Sequence, residues 1–128
     1  MRDSRRAWIT VFAWLAFIEL LTSLPGSALP PLPPAPVRLD WVAHFSLYGM
    51  LGVLLARVGV LESWSRRRLA LTVVMISLFG VLDELHQLFI PGRSCEVGDW
   101  AMDTLGSAIG FTGLLWVAGT SWGAWLFP

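Results

Sequence analysis

Lysine is absent from this chain, so all nine basic side chains are arginines, and cysteine occurs once, at Cys95. A lone cysteine excludes an internal disulfide and carries no signal of redox compartment. Charge is scarce altogether: 14% of the 128 residues are charged, where soluble domains run near a quarter. So few arginines give no footing for a nucleic-acid interface. No nucleophile motif and no tight metal-ligand spacing is present, which leaves the reaction class open. What is plentiful is apolar: 55% of residues are hydrophobic, and they fall in long unbroken runs of the kind a bilayer demands. Of the eight tryptophans, Trp8, Trp41, Trp64, Trp100, Trp122 and Trp125 lie near the ends of those runs, where an indole settles among headgroups.

The runs predict an all-α integral membrane four-helix bundle forming one domain over residues 1–128, with spans at about 7–24, 40–61, 69–90 and 99–118. Arg2, Arg5 and Arg6 ahead of the first run resemble the basic start of a secretory signal, with Gly26-Ser27-Ala28 as a possible cleavage site. The run is long for a signal core and three more follow, so a retained helix is expected. Six prolines between Pro25 and Pro36 predict a stiff, extended stretch along the outer interface. Gly49 and Gly52 notch the second run, and Gly106, Gly110 and Gly113 line the fourth at a spacing that lets backbones approach closely.

Threading the chain through four spans sorts its charges into two camps. One end collects Arg2, Arg5, Arg6, Arg57, Arg66, Arg67 and Arg68 against Asp3 and Glu62. The other collects Glu19, Asp40, Asp83, Glu84, Glu96, Asp99 and Asp103 against Arg38 and Arg93. The formal net charge of +0 thus conceals a dipolar layout. The positive-inside rule places the arginine-rich end and both termini in the cytoplasm, which makes this a multi-pass protein of the inner or plasma membrane.

The acids matter more, because several must lie within the bilayer. Asp40, His44 and Tyr48 share one helix face at i, i+4, i+8 and step down from the rim by about 6 Å per turn. Counting from Ile90, Gln87 lies about 5 Å deep and Asp83 and Glu84 about 9 to 10 Å deep. Asp99 sits at a rim, with Asp103 about 6 Å below it. A charge at mid-bilayer costs about 2.5 to 3.5 kcal/mol even on the mildest scale, so these groups should face one another rather than lipid. Asp83, Glu84, His44 and Asp103 are therefore the expected catalytic set, and Asp40, Tyr48, Gln87, Arg93 and Asp99 the expected substrate contacts. Acids so concentrated suit proton transfer or a divalent metal. Taken singly, Asp40 and Asp99 also read as helix caps, Tyr48 as an interfacial anchor, Glu96 as a solvated loop charge and His86 as a rim residue outside the core set. Glu19 has two candidate partners, the cluster or Arg38.

The same residues carry a family resemblance. Asp40-Trp-Val-Ala-His44-Phe45-x-x-Tyr48, Asp83-Glu84-x-x-Gln87-x-Phe89-x-Pro91-Gly92-Arg93 and Asp99-x-x-x-Asp103-x-x-Gly106-x-x-x-Gly110 resemble the three signature blocks of the VanZ-like family. Ser23-Leu24-Pro25 is similar to that family's exit from its first helix. The resemblance implies a small multi-pass membrane protein, from a family named for a protein linked to teicoplanin resistance. Two positions depart from the pattern: Trp41 stands where the family usually has Lys, and Asp103 where it usually has Asn. Both make the pocket more negative than the family pattern and argue against simple anion binding. The functional expectation is an enzyme of the outer leaflet acting on a lipid or lipid-linked envelope molecule. The alternative is a non-catalytic binder of lipid headgroups, glycopeptide or envelope precursor that alters antibiotic susceptibility. Ion conduction ranks behind both, because the inner halves of the helices offer the acids no exit path.

Overall fold

The computed structural model describes residues 2–29 and 38–119. The proline-rich stretch from Pro30 to Pro36 and the tail carrying Trp122 and Trp125 lie outside the described residues, so the expectations placed on them stand as made. Four helices make up the described chain: α1 (Arg2–Thr22), α2 (Leu39–Leu61), α3 (Arg66–Gln87) and α4 (Val97–Ala118), with a single 3-10 turn at Gly26–Ala28. The all-helical expectation is met. Among the described residues, α2, α3 and α4 are long and apolar enough to cross a membrane. The 21 residues of α1 reach about 31 Å, but its first turns carry Arg2, Asp3, Arg5 and Arg6.

Both boundaries of α3 differ from the sequence reading for identifiable reasons. Helix α3 begins at Arg66 because the Ser65 hydroxyl caps it, accepting from the Arg68 backbone N–H at 3.3 Å, so the arginines join the helix. It ends at Gln87 rather than Ile90: the N–H groups of Leu88, Phe89 and Ile90 bond back three residues, and Gly92 then turns the chain with φ +74. Helix α1 likewise starts at Arg2, more than a turn ahead of the apolar run that announced it, and ends at Thr22, two residues short of that run's end.

The surface of α3 is inverted relative to a soluble helix. Leu71, Val74, Met75, Leu78, Leu82 and Leu85 recur at helical spacing and are all exposed, as a lipid-facing stripe requires. Inside, the packing is tightest between α2 and α4. A Cβ added to Gly106 would land on the Phe45 carbonyl, one on Gly110 on the Gly49 carbonyl, and one on Gly52 on the Ser107 carbonyl. The two backbones therefore touch along a seam that only glycine permits. Gly113 is no part of it, because nothing lies within 4 Å of the position its side chain would take.

Hydrogen bonds hold the other helices to this pair. Trp14 Nε1 donates to the Leu47 carbonyl at 2.9 Å, and Trp100 Nε1 donates to the Ser77 carbonyl at 3.2 Å beside a Ser77–Thr104 hydroxyl contact of 2.8 Å. Trp100 is thus an internal tie rather than an interfacial anchor. At one end, Ser4 Oγ and Trp8 Nε1 donate to Glu62 at 2.6 and 2.7 Å, joining the start of α1 to the α2–α3 turn. At the other, the Gly26 N–H donates to the Pro91 carbonyl at 2.9 Å, joining the exit of α1 to the α3–α4 loop. The arginine-rich camp gathers at the first end and the acids at the second.

Candidate functional site

Seven of the nine expected site residues are buried at the acid-rich end, each delivered there by its helix. Counting in from the helix ends, Glu84 lies about 5 Å, His44 about 8 Å and Asp103 about 9 Å deep. The early end of α3 makes Glu84 shallower than the sequence count gave. The glycine seam brings the polar starts of α2 and α4 side by side, so that His44 Nδ1 lies 2.9 Å from Asp103 Oδ1. His44 Nε2 faces Asp99 Oδ2 at 3.7 Å, and Glu84 Oε1 approaches Nδ1 to 4.0 Å. Asp103 is fully buried, and Glu84 is only 3% exposed. His44, Glu84 and Asp103 each offer one donor atom within 4.8 Å of the others, a set able to hold a cation.

Glu84 is fixed from two sides. Gln87 Nε2 donates to its Oε1 at 3.3 Å, and the backbone N–H of Glu96 donates to its Oε2 at 2.8 Å. Glu96 also pairs with Arg38 at 2.9 Å. This corrects the reading of Glu96 as a solvated loop charge: its peptide closes the α3–α4 loop over the site, while its carboxylate anchors Arg38. Arg38 binds Asp40 as well and stacks over Trp41 at 4.9 Å. Neither expected cap is one, since Arg38 and Glu96 occupy the N-cap positions and Asp40 and Asp99 fall inside the first turns. Buried Oδ atoms of Asp99 and Asp103 have no hydrogen-bond partner.

Asp83 separates from its expected companions. Its Oδ2 accepts from Tyr48 OH at 3.0 Å, and its ligand-range neighbours are Glu19 and His86 rather than His44. Tyr48 is 1% exposed and packs near Phe79, so it is a core residue and no interfacial anchor. Glu19 meets His86 at 4.0 Å and lies within ligand range of Asp83, so of its two candidate partners it joins the Asp83 part of the cluster and not Arg38. His86, set aside from the sequence as a rim residue, therefore belongs to a polar group of its own. The signal that would have found it was Glu19, an acid inside an apolar run and close to the same end of the bundle.

Three buried carboxyl groups (Glu84, Asp99 and Asp103) face one buried imidazole, leaving negative charge to be met by protons or by a cation. Two cavities adjoin them. A polar one of about 150 Å³ is lined by Asp40, His44, Gln87, Arg93, Glu96 and Asp99 among others. An apolar one of about 230 Å³ runs between α1 and α2 past Ile18, Leu21, Leu39, Ala43 and Leu47. Asp40, His44 and Arg93 line both. The buried Nε of Arg93 has no hydrogen-bond partner.

A family model described as VanZ/LLP1 matches residues 35–119, a range that takes in α2, α3 and α4 with His44, Glu84, Asp99 and Asp103. No curated protein and no solved structure matches the chain.

Proposed function

The chain belongs to the VanZ/LLP1 family, and on that footing we propose that it is a four-span membrane enzyme whose site opens at the outer leaflet and acts on a lipid or lipid-linked envelope molecule. The observation that carries this reading is the junction of the two cavities at Asp40, His44 and Arg93. An amphiphile fits such a junction, with its chain in the apolar cavity and its headgroup in the polar one. With the arginine-rich end in the cytoplasm of a plasma-membrane protein, the junction faces the external headgroups.

Each residue then has a role. The guanidinium of Arg93, joined at the rim by Arg38, clamps an anionic headgroup oxygen such as phosphate. His44 donates its Nδ1–H to Asp103, which leaves Nε2 free to take a proton from a water or hydroxyl in the polar cavity. Asp103 thus orients the base and stabilises its protonated form. Glu84, pinned by Gln87 and by the Glu96 peptide, lies within reach of the same ring and shares proton transfer or cation binding. In a second state, with the His44 Nδ1 deprotonated, His44, Glu84 and Asp103 would hold a divalent cation in place of that proton, and the cation would supply an acidified water.

The test compares lipids and cell-wall precursors in wild-type, deletion and Glu84→Gln cells. Deletion should change the level of one species, wild-type copies should restore it, and Glu84→Gln should not, although the variant inserts normally. His44→Gln should lower the rate by about 100-fold or more. Identical profiles in all three strains would overturn the enzymatic reading. The binder of an envelope precursor or glycopeptide would then be left, and its mark would be antibiotic susceptibility that responds to Arg93→Ala and tolerates Glu84→Gln.

A further inference from the structure

Glu19, Asp83 and His86 form a second polar group that shares no residue with the His44 cluster. Glu19 comes from the last turn of α1, and Asp83 and His86 from one face of α3. Each offers a donor atom within 4.8 Å of the other two, and Glu19 Oε2 stands 4.0 Å from His86 Nδ1. None of the three is hydrogen-bonded to another, and a plain ion pair does not account for the arrangement. Asp83 is 1% exposed, with Oδ2 engaged by Tyr48 and Oδ1 left without a partner. His86 Nδ1 is likewise buried without a hydrogen-bond partner. A buried carboxylate with one orphaned oxygen and an orphaned imidazole nitrogen, standing beside a third donor, are what an ion would satisfy.

The geometry points to a second site in this protein, for a divalent transition-metal ion, formed by Glu19, Asp83 and His86 between α1 and α3. Two carboxylate oxygens and one imidazole nitrogen suit zinc and its first-row neighbours better than magnesium or calcium, which prefer oxygen alone. Donors about 2.1 Å from a tetrahedral ion stand about 3.4 Å apart, so Glu19 and His86, 4.0 Å from each other, close only slightly on binding. Three protein donors leave a coordination position for water. The Glu19 and His86 side chains are 44% and 39% exposed. Both lie near helix ends, so an ion enters from the aqueous rim without crossing the apolar interior. Once bound, it clamps α1 to α3, which otherwise meet only lightly. The site is independent of the proposed reaction, and metal content reads it directly.

The experiment uses the full chain in detergent, stripped with chelator and titrated with zinc. Bound zinc is measured by elemental analysis and calorimetry, and fold is followed by gel filtration. Wild type should bind, and Glu19→Gln and His86→Asn should each lose one equivalent or weaken it at least about tenfold. Glu19→Asp, which keeps the donor, should retain that equivalent, and so should His44→Gln, which leaves this site intact. Cobalt in the His44→Gln protein should give the visible absorption of a low-coordinate site, a readout that needs no disruption of the second group. The proposal is overturned if wild type takes up no zinc, if Glu19→Gln and His86→Asn bind as wild type does, or if His44→Gln loses the only equivalent.

Discussion

The Glu62 carboxylate accepts from Ser4 Oγ, Trp64 Nε1 and Trp8 Nε1 and faces Arg68, and these partners hold its pKa down to about 2. A depressed carboxyl stabilises the fold fully above its ordinary value of about 4.5, and that contribution is lost as pH falls through about 2. Between those limits wild type should lose thermal stability in detergent more steeply than Glu62→Gln, which carries no titrating group there. Parallel curves would show that the three donors do not act on the carboxylate. At this scale the sequence was informative where burial is expensive: His44, Glu84 and Asp103 stood out because ionisable groups inside apolar runs must find one another. It was uninformative where the partner is a backbone atom. Glu96 looked solvated because no side-chain pattern reveals that its own N–H will cap Glu84. Asp83 and Glu84 are adjacent, yet they point to different clusters, because neighbouring residues on a helix face about 100° apart.

Among the elements, the α2–α4 pair is the frame. Its seam is set by Gly49, Gly52, Gly106 and Gly110, and a methyl at Gly106 or Gly52 meets backbone rather than a side chain that could swing away. Gly106→Ala should therefore cost about 1 to 3 kcal/mol of stability in a denaturant titration, the usual penalty of overpacking. Gly113→Ala should not destabilise it, and should gain about 0.5 to 1 kcal/mol of helix propensity, because its methyl meets open space. Equal losses at the two positions would mean that the seam is not what holds the pair. The small-residue spacing showed in the sequence that two helices approach closely, but not which two, nor that Gly113 is excluded. Helix ends were harder still. Apolar runs mark where lipid lies, whereas α3 begins where Ser65 can cap it and ends at Gln87, where the chain tightens toward the turn at Gly92.

For the molecule as a whole, the two charge camps lie at opposite ends of the bundle, and the orientation proposed from them has a built-in reporter. Cys95 is the one cysteine of the chain, it is exposed, and it sits in the loop beside the site. A membrane-impermeant maleimide should label it in intact spheroplasts, whereas a cysteine placed at Ser63, with Cys95 replaced by Ser, should react only after permeabilisation. The reverse pattern would turn the site toward the cytoplasm and end the outer-leaflet reading. The overall layout was legible because bilayer energetics act on long stretches at once. The split of the acids into two groups was not, since it depends on how α1 leans against α3.

His44, Asp99 and Asp103 ride together on the glycine-locked pair, while Glu84 rides on α3, tethered to α4 through the Glu96 peptide and a few side-chain contacts. A thicker or thinner bilayer is accommodated by helix tilt, and the looser helix tilts first. Shear of α3 past the locked pair moves Glu84 along the bundle axis relative to an imidazole that stays put. On the proposed reading the protein is in this sense a gauge of acyl-chain length: the rate of the proposed reaction should peak in lipids of one thickness and fall on either side, while the His44–Asp103 contact persists throughout.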